Sequence, residues 1–368
     1  MVFTAPELVE TEPIEMLGEV EVALELQRRV LTGRMVGGEE GSETHARHDV
    51  MVGSGEIGAP TGPWRCNDQA VGEIEVRPAV DDDVTAISRV IDAQDTAWWG
   101  EPDGDITDVR DELGRVELMV GSLEVGTRVM LVDGVLVGVA MMVGHGHTSV
   151  AVDPTIAAAA RVRLALFEWV AGFGDVEIES PAQDVDRLAE LGSIGFVPRR
   201  SSFELERPGD VSDLPAPAWP SGVAAAPFRL GADDEELHEM IYSFWTDVPG
   251  HTARPIDEWR ALFLTGPSFD AELVVLARAG DGTGPIVGCA LGRSYTGNVG
   301  WVSQLGVARS ARGVGLGRAV LLEACHRLGR KQPRVIGLGV EAENAGALGL
   351  YRSVGMDVAR EWVHCERR

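Results

Sequence analysis

The residues of this chain that could most plainly do chemistry lie between 305 and 324, in LGVARSARGVGLGRAVLLEA. A strand is expected to end near Val307, a loop to carry Arg312-Gly313-Val314-Gly315-Leu316-Gly317, and a helix to leave from there. Glycines remove Cβ atoms, so the consecutive amides from Gly313 through Arg318 can point at one anion, and the helix N-terminus adds its partial positive charge. A diphosphate is the natural guest of such a cradle. A dinucleotide fingerprint needs GxGxxG, but Gly315 and Gly317 are followed by Val320, and no acidic residue lies about 20 positions on. A Walker loop needs GK[ST], and the sole lysine, Lys331, follows Arg330. A loop that merely caps a helix would need one glycine rather than three.

Downstream the chain reads EAENAGALGLYRSVGM, with Tyr351 seven residues after Asn344. That is two helical turns, so both can face one groove. Asn344 is also a good helix N-cap, and a helical tyrosine is commonly a core residue.

Arg312-x-x-Gly315-x-Gly317 after a strand ending LGV, followed by Asn344 and Tyr351, resembles the acetyl-CoA site of the GNAT (GCN5-related) N-acetyltransferases. The resemblance implies acetyl transfer from acetyl-CoA to a primary amine by direct attack, with no covalent enzyme intermediate and no metal. It assigns the Leu305 amide to the acetyl oxygen, Val307 and Asn344 to the pantetheine arm, and Arg312, Gly313, Val314, Gly315, Leu316, Gly317 and Arg318 to the diphosphate. Tyr351 becomes the acid that protonates the thiolate. Such a reaction needs a polarised carbonyl, a neutral amine and a proton for the leaving group. For the general base, the strand WVSQLGV offers Ser303 and Gln304 but no carboxylate, which points to a water relay. Glu341 and Asp247 are further candidates that read equally well as structural or surface carboxylates. The amine is expected to be shaped by Trp245, Asp247 and His251, although an aromatic there reads as core as readily as contact.

The elements that must hold these residues occur twice. From Glu73 the pattern gives a strand, two helices, strands meeting at Asp133-Gly134, a third strand, an apolar helix and a closing unit that ends in FVPRRSSFELER. After prolines 208, 215, 217, 220 and 227 the same order recurs, and LGSIGFVPRRSSFELER matches YRSVGMDVAREWVHCER at an offset of 160. This is a tandem duplication. The fold class is α/β (mixed α+β), two tandem GNAT acyl-CoA acyltransferase folds, each a central mixed sheet flanked by helices. Residues 1–72, which include a possible helix through Ile14, Leu17, Val20, Leu24 and Val30, are expected to be an acidic disordered extension. Residues 73–207 form a first GNAT domain, 208–222 a proline-rich linker and 223–368 the catalytic domain. In the first repeat Ala157, Ala158, Ala160 and Val162 stand where the second has Arg312, Gly313, Gly315 and Gly317, while Asp184 and Leu191 replace Asn344 and Tyr351. Its cofactor site is therefore expected to be lost and its surface lent to the substrate cleft. Tandem domains with an active second half are similar to the mycothiol synthase-like branch of the family, which acetylates a cysteinyl-glucosamine-inositol amine. A silent acyl-CoA sensor or scaffold is the contrasting reading, which retention of Tyr351 opposes in the second domain.

Composition bounds these readings. The chain has 368 residues and a formal charge of -26, a field that repels nucleic acid and anionic lipid. The acidity is uneven: residues 1–72 carry 5 basic and 13 acidic groups, 73–207 carry 11 and 26, and 208–368 carry 16 and 19. Within 299–334, Arg309, Arg312, Arg318, Arg327, Arg330, Lys331 and Arg334 face only Glu323, a local basic patch suited to a nucleotide phosphate. Four dispersed cysteines show no zinc spacing, and the longest apolar run, residues 135–143, is far short of a membrane span. The expected setting is cytoplasmic, as monomer or homodimer, with acetyl-CoA and a small amine as partners.

Overall fold

The computed structural model describes residues 64–68, 72–104, 106–143, 147–245, 253–266, 268–295 and 298–367. The helix expected through residues 14–30, together with Asp247, His251 and the side chain of Trp245, lies outside the described residues. The expected extension contributes one strand, β1 (Trp64–Asp68), paired antiparallel with β2 (Gly72–Arg77).

Helices α1 (Val84–Trp99) and α2 (Ile106–Val120) follow, then strands β3 (Thr127–Val132), β4 (Val135–Met142) and β5 (Thr148–Val152). Asp133 and Gly134 turn β3 into β4 with positive φ at both, the geometry of a tight hairpin. Helix α3 (Ala159–Ala171), strand β6 (Glu177–Pro181), helix α4 (Val185–Ser193) and strand β7 (Phe196–Pro208) complete the first unit. The second unit repeats the order: β8 (Val223–Pro227), α5 (Asp234–Tyr242), α6 (Ile256–Phe263), β9 (Phe269–Arg278), β10 (Ile286–Tyr295), β11 (Val299–Val307), α7 (Leu316–Gly329), β12 (Val335–Glu341), α8 (Ala345–Arg352) and β13 (Asp357–Arg367). No described helix is long and apolar enough to cross a membrane.

The strands form a sheet of order β1-β2-β3-β4-β5 and another of order β6-β13-β7-β12-β11-β10-β9-β8. The closing strands are therefore exchanged. Strand β7 of the first unit pairs with β12 of the second, β13 of the second pairs with β6 of the first, and β7 and β13 run antiparallel beside each other at the centre. Burial follows the exchange: Leu205 of β7 is fully buried in the second unit's core, while Cys365 of β13 lies in the first unit's core. A buried leucine contributes about 1.5–3 kcal/mol, so neither unit has a complete core without the other's last strand. The unit that the sequence closes with FVPRRSSFELER is thus closed, in space, by its partner's strand.

The proline-rich segment is anchored. Val211, Leu214 and Trp219 pack against the second core, Arg207 binds Asp213 at 2.6 Å, and His326 Nε2 meets the Pro215 carbonyl at 3.1 Å. Each unit also has one place where its fourth and fifth strands part. Strands β11 and β12 pair in parallel only from Val299↔Val335 to Trp301↔Gly337, and β5 touches β6 through the single bridge His147↔Glu177.

Candidate active site

Beyond Trp301 the backbone of β11 has no strand partner on its β12 side among the described residues, and β10 holds it from the other side, with a register shift opposite Ser303. Into this splay opens a groove of about 260 Å³ lined by Leu305, Val307, Arg312, Gly313, Gly315, Leu316, Gly317, Arg318 and Asn344, closed by Gly346, Ala347 and Leu350. Nine of the ten residues expected to hold the cofactor meet in this one place. Val314 does not line it and points outward, 61% exposed.

The loop takes its shape from two residues with positive φ, Gly313 (76°) and Gly315 (85°), a region that side-chain-bearing residues avoid. Gly315 is also the N-cap of α7 and supplies no side-chain acceptor, so the first amides of the helix face the groove without an intrahelical partner. At Gly317 a Cβ would meet Leu350 and Val307 at ordinary contact distances, so glycine there supplies room rather than a backbone shape. Arg312 lies across the strand end, its Nε donating to the Val307 carbonyl at 3.3 Å. The expected basic patch divides. Arg327 binds Glu323 at 2.8 Å, Lys331 binds Asp270 at 2.6 Å and Arg334 binds Glu101 at 3.1 Å, all toward the far end of α7. Arg312 and Arg318 line the groove, with Arg309 on the turn that leads into it.

Asn344 does two jobs with its two side-chain atoms. Its Oδ1 accepts from the Ala347 amide at 3.0 Å and caps α8, whereas Nδ2 is buried and finds no partner among the described residues. A buried unpaired donor costs about 1–3 kcal/mol, which a carbonyl of a pantetheine arm would relieve. Tyr351 does not itself line this groove: it lies on α8 with its side chain packed in the second unit's core, 1% exposed. Burial pushes its phenol above the usual range, so it is protonated at neutral pH, the state required of a donor.

The first unit has the strand splay too, but side chains fill it. Asp184 caps α4 through Oδ1 to the Arg187 amide at 3.0 Å and spends Oδ2 on Trp98 Nε1 at 2.8 Å. Arg187, which the 160-residue offset places opposite Ala347, extends its Nη2 to the Val150 carbonyl at 3.2 Å and the Glu179 carbonyl at 3.3 Å. One guanidinium thus bridges the two splayed strands where the second unit has its groove. The offset contained this signal, an arginine opposite an alanine, and sequence reasoning overlooked it.

Between the units lies a larger cavity of about 560 Å³. The second unit contributes Arg254, Arg293, Tyr295, Trp301, Ser303 and Gln304, and the first contributes Gln94, Asp95, Glu112, Arg115, Glu179 and Arg187. Of the expected base candidates, Ser303 Oγ donates to the Leu291 carbonyl at 3.0 Å, while both polar atoms of Gln304 are buried without a partner among the described residues. Glu341 belongs elsewhere: it pairs with Arg200 in a small pocket beside Ser202 and His364. There His364 bridges Glu177 Oε1 (2.8 Å), Glu179 Oε1 (3.3 Å) and Ser202 Oγ (2.7 Å). Burial would lower the His364 pKa, but the two carboxylates raise it to about 9. Burial opposes the charge on Glu179 too, and His364 outweighs it, holding that group down to about 2.

Comparison with known proteins agrees with this geometry. The model of the acetyltransferase (GNAT) family matches residues 235–356. A mycothiol acetyltransferase of Kytococcus sedentarius is 31% identical over 230 residues, covering 58% of this chain and 73% of that protein. Another from Kineococcus radiotolerans is 31% identical over 201 residues, covering 53% and 63%. Among solved structures, a GCN5-related N-acetyltransferase from Sphaerobacter thermophilus superposes with a TM-score of 0.64 at 26% identity, over 80% of this chain and 95% of that one. A tandem GNAT protein from the clavulanic acid biosynthesis pathway superposes with a TM-score of 0.58 at 16% identity, over 80% and 98%, a likeness of fold.

Proposed function

Because the chain belongs to the GNAT acetyltransferase family and is thereby an acyl-CoA-dependent N-acetyltransferase, we propose that its second domain, residues 223–368, moves an acetyl group from acetyl-CoA to the primary amine of a small molecule held between the units. The observation that carries this is one groove that holds both uncapped helix amides and a buried Asn344 Nδ2 with no partner among the described residues. Acetyl-CoA supplies the activated thioester. The chain's own residues do the rest. Amides of the α7 N-terminus, with Arg312 and Arg318, hold the diphosphate, and Asn344 and Val307 hold the pantetheine arm. The Leu305 amide polarises the acetyl carbonyl, and the Tyr351 hydroxyl gives its proton to the departing thiolate. The first domain, residues 73–207, binds no acyl-CoA, because Arg187 occupies its splay.

The relatives named mycothiol acetyltransferase favour a second, narrower reading in which the amine is the cysteinyl amine of a cysteine-glucosamine-inositol acceptor. A cavity of about 560 Å³ lined by both charges and hydroxyls has room for such a polar acceptor. One experiment addresses both readings: free-thiol release from acetyl-CoA across an amine panel that includes the mycothiol precursor, with Tyr351→Phe alongside. Wild-type turnover with at least one amine is expected, and kcat of the variant should fall about 10²–10⁴-fold with acetyl-CoA affinity by calorimetry unchanged. Absence of acetyl-CoA binding to the wild type would end the enzyme reading.

A further inference from the structure

An ammonium acceptor must lose a proton before its nitrogen can attack, and the second domain offers no described carboxylate to take it. Strand β11 has none, and the residues that this domain contributes to the cavity between the units are arginines, aromatics, a leucine, a serine and a glutamine. Every described carboxylate of that cavity comes from the first unit: Asp95 on α1, Glu112 on α2 and Glu179 on β6. Glu179 is committed to His364 and stays ionised as its counter-ion. Glu112 is different. Its Oε2 is shut off from solvent and has no hydrogen-bond partner among the described residues.

We propose that Glu112, from the domain that has lost its own cofactor site, is the general base of the acetyl transfer catalysed by the other domain. This rests on the acetyl-transfer reading above. The Glu112 carboxylate takes one proton from the acceptor ammonium, directly or through a water beside Ser303 and Gln304. The neutral nitrogen then forms its bond to the acetyl carbon, and the C–S bond breaks. Tyr351 gives its proton to the sulfur and regains one from the new amide nitrogen through solvent, and Glu112 releases its proton to bulk water. The products are amide, free thiol and one proton.

The surroundings suit this role. Burial raises the Glu112 pKa to about 7, Arg115 opposes the rise, and Asp108 and Asp95 add to it. A base poised near the working pH is the most effective one. Arg115, Arg254 and Arg293 line the same cavity and disfavour a persistent ammonium there. Asp95, the remaining carboxylate, is raised to about 6 by burial and by the charge of Asp103.

The test uses the full chain and the amine identified by the panel. Glu112→Gln should lower kcat/KM for the amine by about 10²–10⁴-fold at pH 7, and the deficit should shrink as pH rises past the amine's own pKa, because a neutral amine needs no base. Acetyl-CoA affinity should stay within twofold, which separates loss of the base from loss of the fold, and Glu112→Asp should restore part of the rate. A difference infrared titration, which needs no acceptor, should show a carboxyl band near pH 7 that vanishes in Glu112→Gln. The proposal is overturned if Glu112→Gln keeps kcat/KM within threefold of wild type, if its deficit is the same at every pH, or if Asp247→Asn or Asp95→Asn alone reproduces the pH-dependent loss. Failure of every amine with the wild type would count against acetyl transfer itself, while the infrared band would still report on Glu112.

Discussion

Asn344 and Asp184 occupy equivalent positions and cap equivalent helices, yet one leaves a donor free and the other leaves nothing. On the proposed reading, the difference between a groove that takes acetyl-CoA and one that does not is carried in part by a single nitrogen. Asn344→Asp should separate the two roles of this residue. The oxygen that accepts from Ala347 is kept, so thermal stability should hold within about 1 kcal/mol, the size of a typical cap. The donor is replaced by a carboxylate, so acetyl-CoA affinity should fall at least tenfold, as read by calorimetry. Equal loss of stability and affinity would mean that the residue only caps. The dual role was legible in the sequence as two compatible readings of one asparagine. What the sequence could not reveal was that Nδ2 lacks a partner among the described residues, because a missing partner is a property of the surroundings.

At the scale of elements, the exchanged strands β7 and β13 meet their neighbours through an ionic seam as well as through apolar contacts. His364 of β13 sits between Glu177 and Glu179 of β6. Because its folded pKa is about 9 against an ordinary 6.5, its stabilisation is full below pH 6.5 and is lost as pH rises through 9. Glu179, held at about 2 against 4.5, contributes above pH 4.5 and ceases to contribute as pH falls through 2. The seam should therefore be tightest between pH 4.5 and 6.5. Thermal unfolding followed by circular dichroism should show the melting temperature falling between pH 6.5 and 9, by an amount equivalent to at most about 3 kcal/mol. In His364→Gln that slope should disappear, and the variant should match the wild type near pH 9. A wild-type profile flat across this range would mean that the histidine does not ionise in the seam.

For the whole molecule, the exchange makes the two units a single folding problem. A fragment of residues 223–368 carries the whole acetyl-CoA motif but lacks β7, so β12 would present an open edge and the β6 partner of β13 would be missing. Unpaired edges invite association. Size-exclusion chromatography of that fragment should show aggregates or a strand-swapped dimer rather than a stable monomer. A well-behaved monomer with native acetyl-CoA affinity would show that the exchange is dispensable. The first unit is retained, on this view, because it supplies a strand to the second core and the acidic wall of the cavity.

The sequence by itself determined the family resemblance, the duplication and the groove residues, because glycine spacing, helix register and the repeat are local properties written in order along the chain. Arg187 and the exchange of β7 with β13 were decided only by tertiary structure. An arginine that fills a splay and a strand that crosses to its partner's sheet satisfy the same local pattern as ones that do not. The same holds for charge. The acidity of the first unit reads in composition as repulsion of polyanions, and only the fold turns part of it, through Asp95 and Glu112, into the cavity between the units.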